Sequence, residues 1–330
     1  MYETDDFDFL PTASVTALET RAAVLRQLRD FFAQRGFLEV ETPLLSRDTV
    51  VDLHLDPLAV TLTADPDRPS AGPRMWLQTS PEFAMKRLLA AGIPRIFQIT
   101  KAFRADEQGA RHNPEFTLVE WYRAGDGLHE GMDLLAALAG ELLGASAVDR
   151  CSYRDAFQTC LGVDPLTASV EEFALAARNR DVVLPRSMSA ATRDEWLNLL
   201  LAECVEPHLG KTRPLILFDY PASQAALARV RDEYPPVAER FELYVHGMEL
   251  ANGYHELLDP SVLMARNRAA NAERAARGKC SLPEQSRLLA AMRYGLPACT
   301  GVALGLDRVL MAITGAKHIR EVLAFPLDRA

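Results

Sequence analysis

Two pairs of apolar-rich segments, 96–104 with 115–123 and 241–245 with 248–252, are each joined by a short polar connection. A crossover to a parallel strand needs a dozen or more residues, usually with a helix, so these pairs read as antiparallel hairpins. His246-Gly247 fits a two-residue hairpin turn, which pairs Val245 with Met248 and Tyr244 with Glu249. Helical patterns fall in blocks between the hairpins instead of alternating with each strand. This arrangement predicts an α+β fold with a mostly antiparallel sheet.

A helix is predicted from Thr16, with Glu19 completing a capping box. It carries Leu18, Ala22, Leu25, Leu28 and Phe32 at helical spacing and stops at Gly36. Residues 37–45 read as a strand ending at Pro43, and further strands are expected at 52–62 and 75–78 around a loop at 64–74. Ser80-Pro81-Glu82 opens a helix, with Ser80 as N-cap, Pro81 at the first helical position and Gly92 at the end. Helices are also expected at 128–143, 260–277 and 283–293, strands at 215–220 and 301–305, and a last helix after that. Residues 150–210 read as a helical insertion, not a separate domain, because no Gly/Ser/Pro-rich linker flanks them. Residues 1–13 read as a flexible acidic tail, leaving 14–330 as one domain.

The net charge of −9, from 36 basic and 45 acidic residues, argues against a protein held on nucleic acid by broad electrostatics. No apolar run approaches the roughly 18 residues of a membrane helix, and the N-terminus lacks a signal pattern, so no membrane association and a cytoplasmic location are expected. The five cysteines contain no C-x-x-C pair and read as reduced thiols without structural zinc.

Four constellations carry chemistry. In 103–116, Arg104 ends one strand, Asp106, Arg111 and His112 lie in the loop, and Phe116 begins the next strand. Such a hairpin presents a guanidinium fork to a phosphate or carboxylate and an aromatic face to a planar base; the alternative is a solvated hairpin with surface ion pairs. In 241–250, the turn register puts Glu242 and Glu249 on one sheet face, where like charges repel unless a cation lies between them. A divalent metal bridging phosphate oxygens suits that position; the alternative is two solvated carboxylates. In 252–256, alternation groups Asn252, Tyr254 and Glu256, a set suited to an ammonium ion, but on the face opposite Glu249. A bulge near Ala251 or Gly253 is required to aim both sets one way. In 301–308, a glycine-bearing strand runs into a helix whose first turn holds Arg308, favourable to phosphate; Asp307 and Arg308 could equally be a capping pair. A basic segment, Arg266, Arg268, Arg274, Arg277 and Lys279, reads as a solvated helix face or a dock for an acidic protein.

In this order the segments resemble the motifs of class II aminoacyl-tRNA synthetases: 36–43 motif 1, 104–116 motif 2, 301–308 motif 3. The strings Arg-His-Asn-Pro-Glu-Phe-Thr (111–117), Pro-Glu-x-x-x-Lys-Arg-Leu (81–88) and Glu-x-x-Asn-Gly-Tyr-x-Glu (249–256) are similar to the lysyl branch. Only about 15 residues precede the motif 1 helix, too few for an anticodon-binding OB-fold. With Pro221-Ala-Ser-Gln-Ala-Ala-Leu-Ala and Ala303, this narrows the resemblance to the elongation factor P (R)-β-lysine ligase family. Ala303 stands where lysyl-tRNA synthetases carry glycine; its methyl crowds an α-ammonium, a discrimination of about 1–3 kcal/mol.

The resemblance implies a sheet of six to seven strands flanked by helices, and ATP-dependent activation of (R)-β-lysine followed by transfer to elongation factor P. It implies a homodimer with magnesium as the metal and no stable nucleic acid binding. Arg104 and Arg308 would be catalytic. Arg104, Ala105, Asp106, Arg111, His112, Asn113, Phe116, Glu249, Leu250, Gly305 and Arg308 would surround ATP. Glu242 and Glu249 would hold the metal. Ser80, Pro81, Glu82, Glu120, Tyr122, Asn252, Tyr254, Glu256 and Ala303 would line the amino-acid site. The alternatives are a truncated synthetase that activates α-lysine and a non-catalytic regulatory paralogue.

Overall fold

The computed structural model describes residues 9–63, 65–185, 188 and 191–330. Residues 1–8 of the expected tail, residue 64 of the expected loop, and residues 186, 187, 189 and 190 of the expected helical insertion lie outside the described residues.

In chain order the elements are α1 (Val15–Gln34), β1 (Leu38–Glu39), β2 (Leu45–Ser46), β3 (Ala59–Thr61), β4 (Arg74–Leu77), α2 (Glu82–Ala90), β5 (Arg95–Phe103) and β6 (Glu115–Ala124). Then come α3 (Leu128–Leu143), β7 (Asp149–Ser152), α4 (Tyr153–Leu161), α5 (Val170–Asn179), α6 (Arg193–Leu200), β8 (Leu215–Pro221), β9 (Val237–Val245) and β10 (Met248–His255). The chain closes with α7 (Pro260–Ala276), α8 (Arg287–Gly295), β11 (Cys299–Gly305) and α9 (Leu306–Thr314).

Three expectations change. The cap of α1 is Ser14, whose Oγ accepts from the Ala17 amide at 3.1 Å, so the helix begins before the Thr16–Glu19 box. Residues 52–58 are not a strand: the Asp52 carboxylate accepts from the His54 and Leu55 amides at 2.6 and 3.1 Å, a side-chain turn that competes with extended pairing. Pro81 precedes α2 instead of opening it, and Ser80 Oγ accepts from the Glu82 amide at 3.0 Å.

The chain forms two compact units, one comprising residues through Gly125 with 258–298 and 303–330, the other 126–257 with 299–302. In the first, β1 pairs parallel with β5, and β5 pairs antiparallel with β6 in unbroken register from Arg95↔Arg123 to Phe103↔Glu115. A small sheet of order β2-β4-β3 accompanies it. Helix α1 buries Val24, Leu28, Phe31 and Phe32. The Phe32 ring stacks on Phe97 at 4.6 Å and touches Phe37 and Trp121 at 5.2 and 5.3 Å, so one aromatic side chain ties α1 to β5 and β6.

Helix α7 and the turn after it do not display the basic segment as a uniform solvated face. Arg274 is 2 % exposed. It donates to the Asp52, Leu55 and Cys280 carbonyls at 2.8, 3.3 and 2.9 Å and to Asp56 at 2.8 Å. Lys279 reaches the other Asp56 oxygen at 2.5 Å. Burial pushes the Asp56 carboxyl up, but Lys279 and Arg274 outweigh it and hold it below the usual carboxylate range. These two cations fasten the irregular 52–56 segment, so neither the solvated face nor the dock of the sequence reading includes all five residues.

In the second unit, β7 pairs parallel with β8, and β8–β9 and β9–β10 pair antiparallel. Helices α4 and α6 bury Tyr153, Phe157, Trp196 and Leu197 against Leu217, Tyr220 and Tyr244 of the strands. The main-sheet strands of both units number eight, more than the six to seven expected: β7, of 4 residues, opens the stretch read as a helical insertion, and β1 keeps only 2 residues of the strand expected over 37–45.

Replacing Phe32 with alanine removes the ring shared by α1, β5 and β6. We expect a loss of about 3–5 kcal/mol, read as a lower urea midpoint for unfolding.

Candidate active site

The unbroken β5–β6 register fixes which side chains share a face. Arg104 extends the even-numbered row of β5, and that row faces the same way as Phe116, Glu120 and Tyr122. The Arg104 guanidinium carbon lies 4.9 Å from the centre of the Phe116 ring, and its Nη1 donates to Glu107 at 3.2 Å. Its buried Nε has no hydrogen-bond partner, a donor left for an anion. Ala105 is held by its amide on the Asp56 carbonyl at 2.8 Å, and Asp106 is exposed. On the opposite face of this hairpin a cavity of about 920 Å³ is lined by Leu18, Leu25, Ile99, Thr117, Leu306 and Phe325; none of the expected site residues except Asn113 borders it.

Further along the face with Arg104, four expected residues meet. Ser80 Oγ and the Tyr122 hydroxyl donate to the two Glu120 oxygens at 2.8 and 2.7 Å. Glu82, the first residue of α2, accepts from Lys86 Nζ at 2.5 Å. Glu120 is 1 % exposed. Burial first, and the Glu82 charge second, push its carboxyl up to about 7, against the opposing pull of Tyr122, Ser80 and Lys86. A buried carboxylate with two neutral donors, and with no cation hydrogen-bonded to it among the described residues, can accept an ammonium group.

At the start of α9, Arg308 Nη2 lies 2.6 Å from His112 Nε2 and Nε donates to the Arg111 carbonyl at 3.4 Å. Arginine only donates, so the imidazole is the acceptor and is neutral. Burial, and then the Arg308 charge, lower the His112 pKa in agreement. Asp307 is not a helix cap: one carboxylate oxygen accepts from the Thr117 amide at 2.8 Å and the other pairs with Arg21. It therefore sets the position of Arg308 relative to β6. Asn113 is likewise committed, donating to the Glu115 carbonyl at 2.7 Å and accepting from the Leu327 amide at 3.1 Å. Ala303 lies in β11, and Gly305 is the N-cap of α9.

In the second unit, the β9–β10 hairpin turns at His246 and Gly247, both with positive φ (51° and 72°), as a two-residue turn of this kind requires. Val245 pairs with Met248 and Tyr244 with Glu249; the register then shifts between Glu249 and Ala251, and Asn252 pairs with Glu242 and Tyr254 with Arg240. The extra residue is Leu250. The bulge brings Asn252 and Tyr254 onto the face of Glu242 and Glu249. At Gly253, paired with Phe241, a Cβ would meet the Phe241 ring at 2.5 Å. Glu242 is buried, with one oxygen accepting from Arg240 at 2.5 Å and the other from the Tyr220 and Tyr244 hydroxyls at 2.5 and 2.6 Å. Glu249 is half-buried, Glu256 is buried, and the buried Asn252 Oδ1 has no hydrogen-bond partner.

Among the described residues no cluster of three or more His, Cys, Asp or Glu side chains forms. The two carboxylates on one hairpin face suit a divalent cation that draws its other ligands from water and substrate phosphates, with each Glu242 oxygen also accepting from Arg240 or the two tyrosines. Sequence reasoning missed Glu107, Lys86, Arg240, Tyr220 and Tyr244 as partners of the expected side chains. For Arg240 and Tyr244 the signal was present, since both flank Glu242 at two-residue spacing; for Tyr220 it was not.

The family model for tRNA synthetases class II (D, K and N) matches residues 7–329. An elongation factor P–(R)-β-lysine ligase of Vibrio cholerae is 45 % identical over 326 residues, 98 % of this chain and 99 % of the relative. The ligase of the same name from Salmonella arizonae is 46 % identical over 323 residues, 97 % of this chain and 98 % of its own. The chain belongs to the class II tRNA synthetase family (D, K and N).

Proposed function

We propose that this chain activates (R)-β-lysine with ATP and transfers it to a lysine ε-amino group of elongation factor P. The observation that carries the proposal is the buried Ser80–Glu120–Tyr122 slot beside Glu82, a receptor for amines on the same hairpin face as the Arg104–Phe116 pair. The near-complete alignment with ligases of that name supports the same reading.

In the first half-reaction the amino-acid carboxylate oxygen bonds to the α-phosphorus and the bond to pyrophosphate breaks. Charge neutralisation and alignment dominate such a step. Arg104 is assigned to the α-phosphate and the carboxylate, Phe116 to stacking on adenine, and Arg111, His112 and Arg308 to the outer phosphates. A neutral His112 donates from Nδ1 while Nε2 steadies Arg308. Glu82 is assigned to the amine nearer the carboxylate, and Glu120 with Tyr122 to the distal ammonium. Magnesium, held by Glu242 and Glu249, would neutralise phosphate charge. In the second half-reaction the acceptor amine nitrogen bonds to the acyl carbon, AMP leaves, and the amine gives up a proton. A translation factor as acceptor puts the reaction in the cytoplasm, and the reading includes a homodimer through residues 36–43.

ATP–pyrophosphate exchange run with (R)-β-lysine and with α-lysine is expected to proceed with the first and lag at least tenfold with the second; exchange preferring α-lysine, with tRNA acceptance, would sink the assignment. An ammonium needs an ionised Glu120. The KM for the amino acid is therefore expected to rise as pH falls below about 7, with the KM for ATP flat. Glu120→Gln should remove this dependence and raise the amino-acid KM by about 10- to 100-fold, the value of a charge-assisted hydrogen bond.

A further inference from the structure

Lys86 lies in the sequence string shared with the lysyl branch, and nothing above gives it a part in the chemistry. It is 2 % exposed, sits one turn after Glu82 on α2, bonds to that carboxylate at 2.5 Å and stands 6.0 Å from the centre of the Tyr122 ring. Helix stability does not explain it. An i,i+4 pair contributes a few tenths of a kcal/mol in water, and a buried ion pair is often replaced by apolar side chains without loss. What burial does achieve is local charge balance. Two buried carboxylates that repel each other, Glu82 and Glu120, share a neighbourhood with one buried ammonium.

We propose that Lys86 is a positioning residue for amine recognition: its ammonium pins the Glu82 carboxylate and leaves the Glu82–Glu120 pair with a single net negative charge to offer the substrate. This rests on the amine-receptor reading of the slot. The groups facing Glu120 are Ser80 and, on α2, Glu82 and Lys86; on β6, Tyr122; and on β5, Gln98, which is paired with Glu120 in register and whose Oε1 accepts from Thr42 at 2.9 Å. Among the described residues that act on Glu120, Lys86 is the cation. Without it the two carboxylates face each other unbalanced, Glu120 retains its proton to higher pH, and the distal ammonium loses its counter-charge.

The test is the pH profile of the amino-acid KM in ATP–pyrophosphate exchange, for Lys86→Gln, which keeps a hydrogen-bond donor and loses the charge, and for Lys86→Arg, which keeps the charge. In Lys86→Gln the rise in KM should begin about one unit higher in pH, so that KM at pH 7 is raised about fivefold and approaches about tenfold at lower pH, with kcat and the ATP KM within about twofold. Lys86→Arg should keep the wild-type midpoint. An unshifted midpoint in Lys86→Gln, or a parallel loss in kcat and both KM values, would overturn the proposal. Should Lys86→Gln not fold, a shifted midpoint in Lys86→Arg would overturn it alone. The shift is measured with whichever amino acid the wild type activates, so a wrong substrate assignment shows in the wild-type assay and not in the difference between variants.

Discussion

Buried charge has to be matched where it stands, and the placement of the functional side chains follows from how each match is made. Glu120 is buried under two neutral donors, Glu82 lies against Lys86, Glu242 is gripped by an arginine and two tyrosines, and Asp307 is divided between Arg21 and a strand amide. An ionised group without such partners would neutralise instead of staying charged in a low-dielectric interior. The partners also immobilise it. Each of these carboxylates is fixed from at least one side before any ligand arrives.

The two hairpins supply that rigidity in different ways. In β5–β6 the register runs without interruption, so the row from Arg104 to Tyr122 is set by simple alternation. In β9–β10 alternation alone would send Asn252 and Tyr254 to the wrong face, and a single unpaired residue, Leu250, reverses the parity. The glycine that follows admits the Phe241 ring where a methyl would collide. The same segment thus contains the device that breaks the register and the small residue that tolerates its consequence.

Much of this is legible in the sequence. The hairpin turn at His246-Gly247, the pairing of Tyr244 with Glu249 and the need for a bulge all follow from the two-residue period of a strand. The helix starts were read less well. Thr16 and Glu19 have the spacing of a capping box, yet Ser14 takes the position because the helix extends one turn further back than its apolar stripe. Residues 52–58 have strand composition, but Asp52 bonds its own neighbouring amides and Arg274, more than 200 positions away, takes the carbonyls.

By itself, the sequence determined the fold class, the turn at His246-Gly247 with its first pairs, and the family to which the chain belongs, because periodicity and turn chemistry act over a few residues and are written in adjacent letters. Only the tertiary structure decided what each charged group is paired with: that Asn113 braces the Leu327 amide, that Asp307 binds Thr117 and Arg21, that Tyr220 reaches Glu242, and that Arg274 points inward to Asp56. Those partners come from distant parts of the chain. Electrostatic matching depends on distance in space and on burial, and neither is encoded at any single spacing along the sequence.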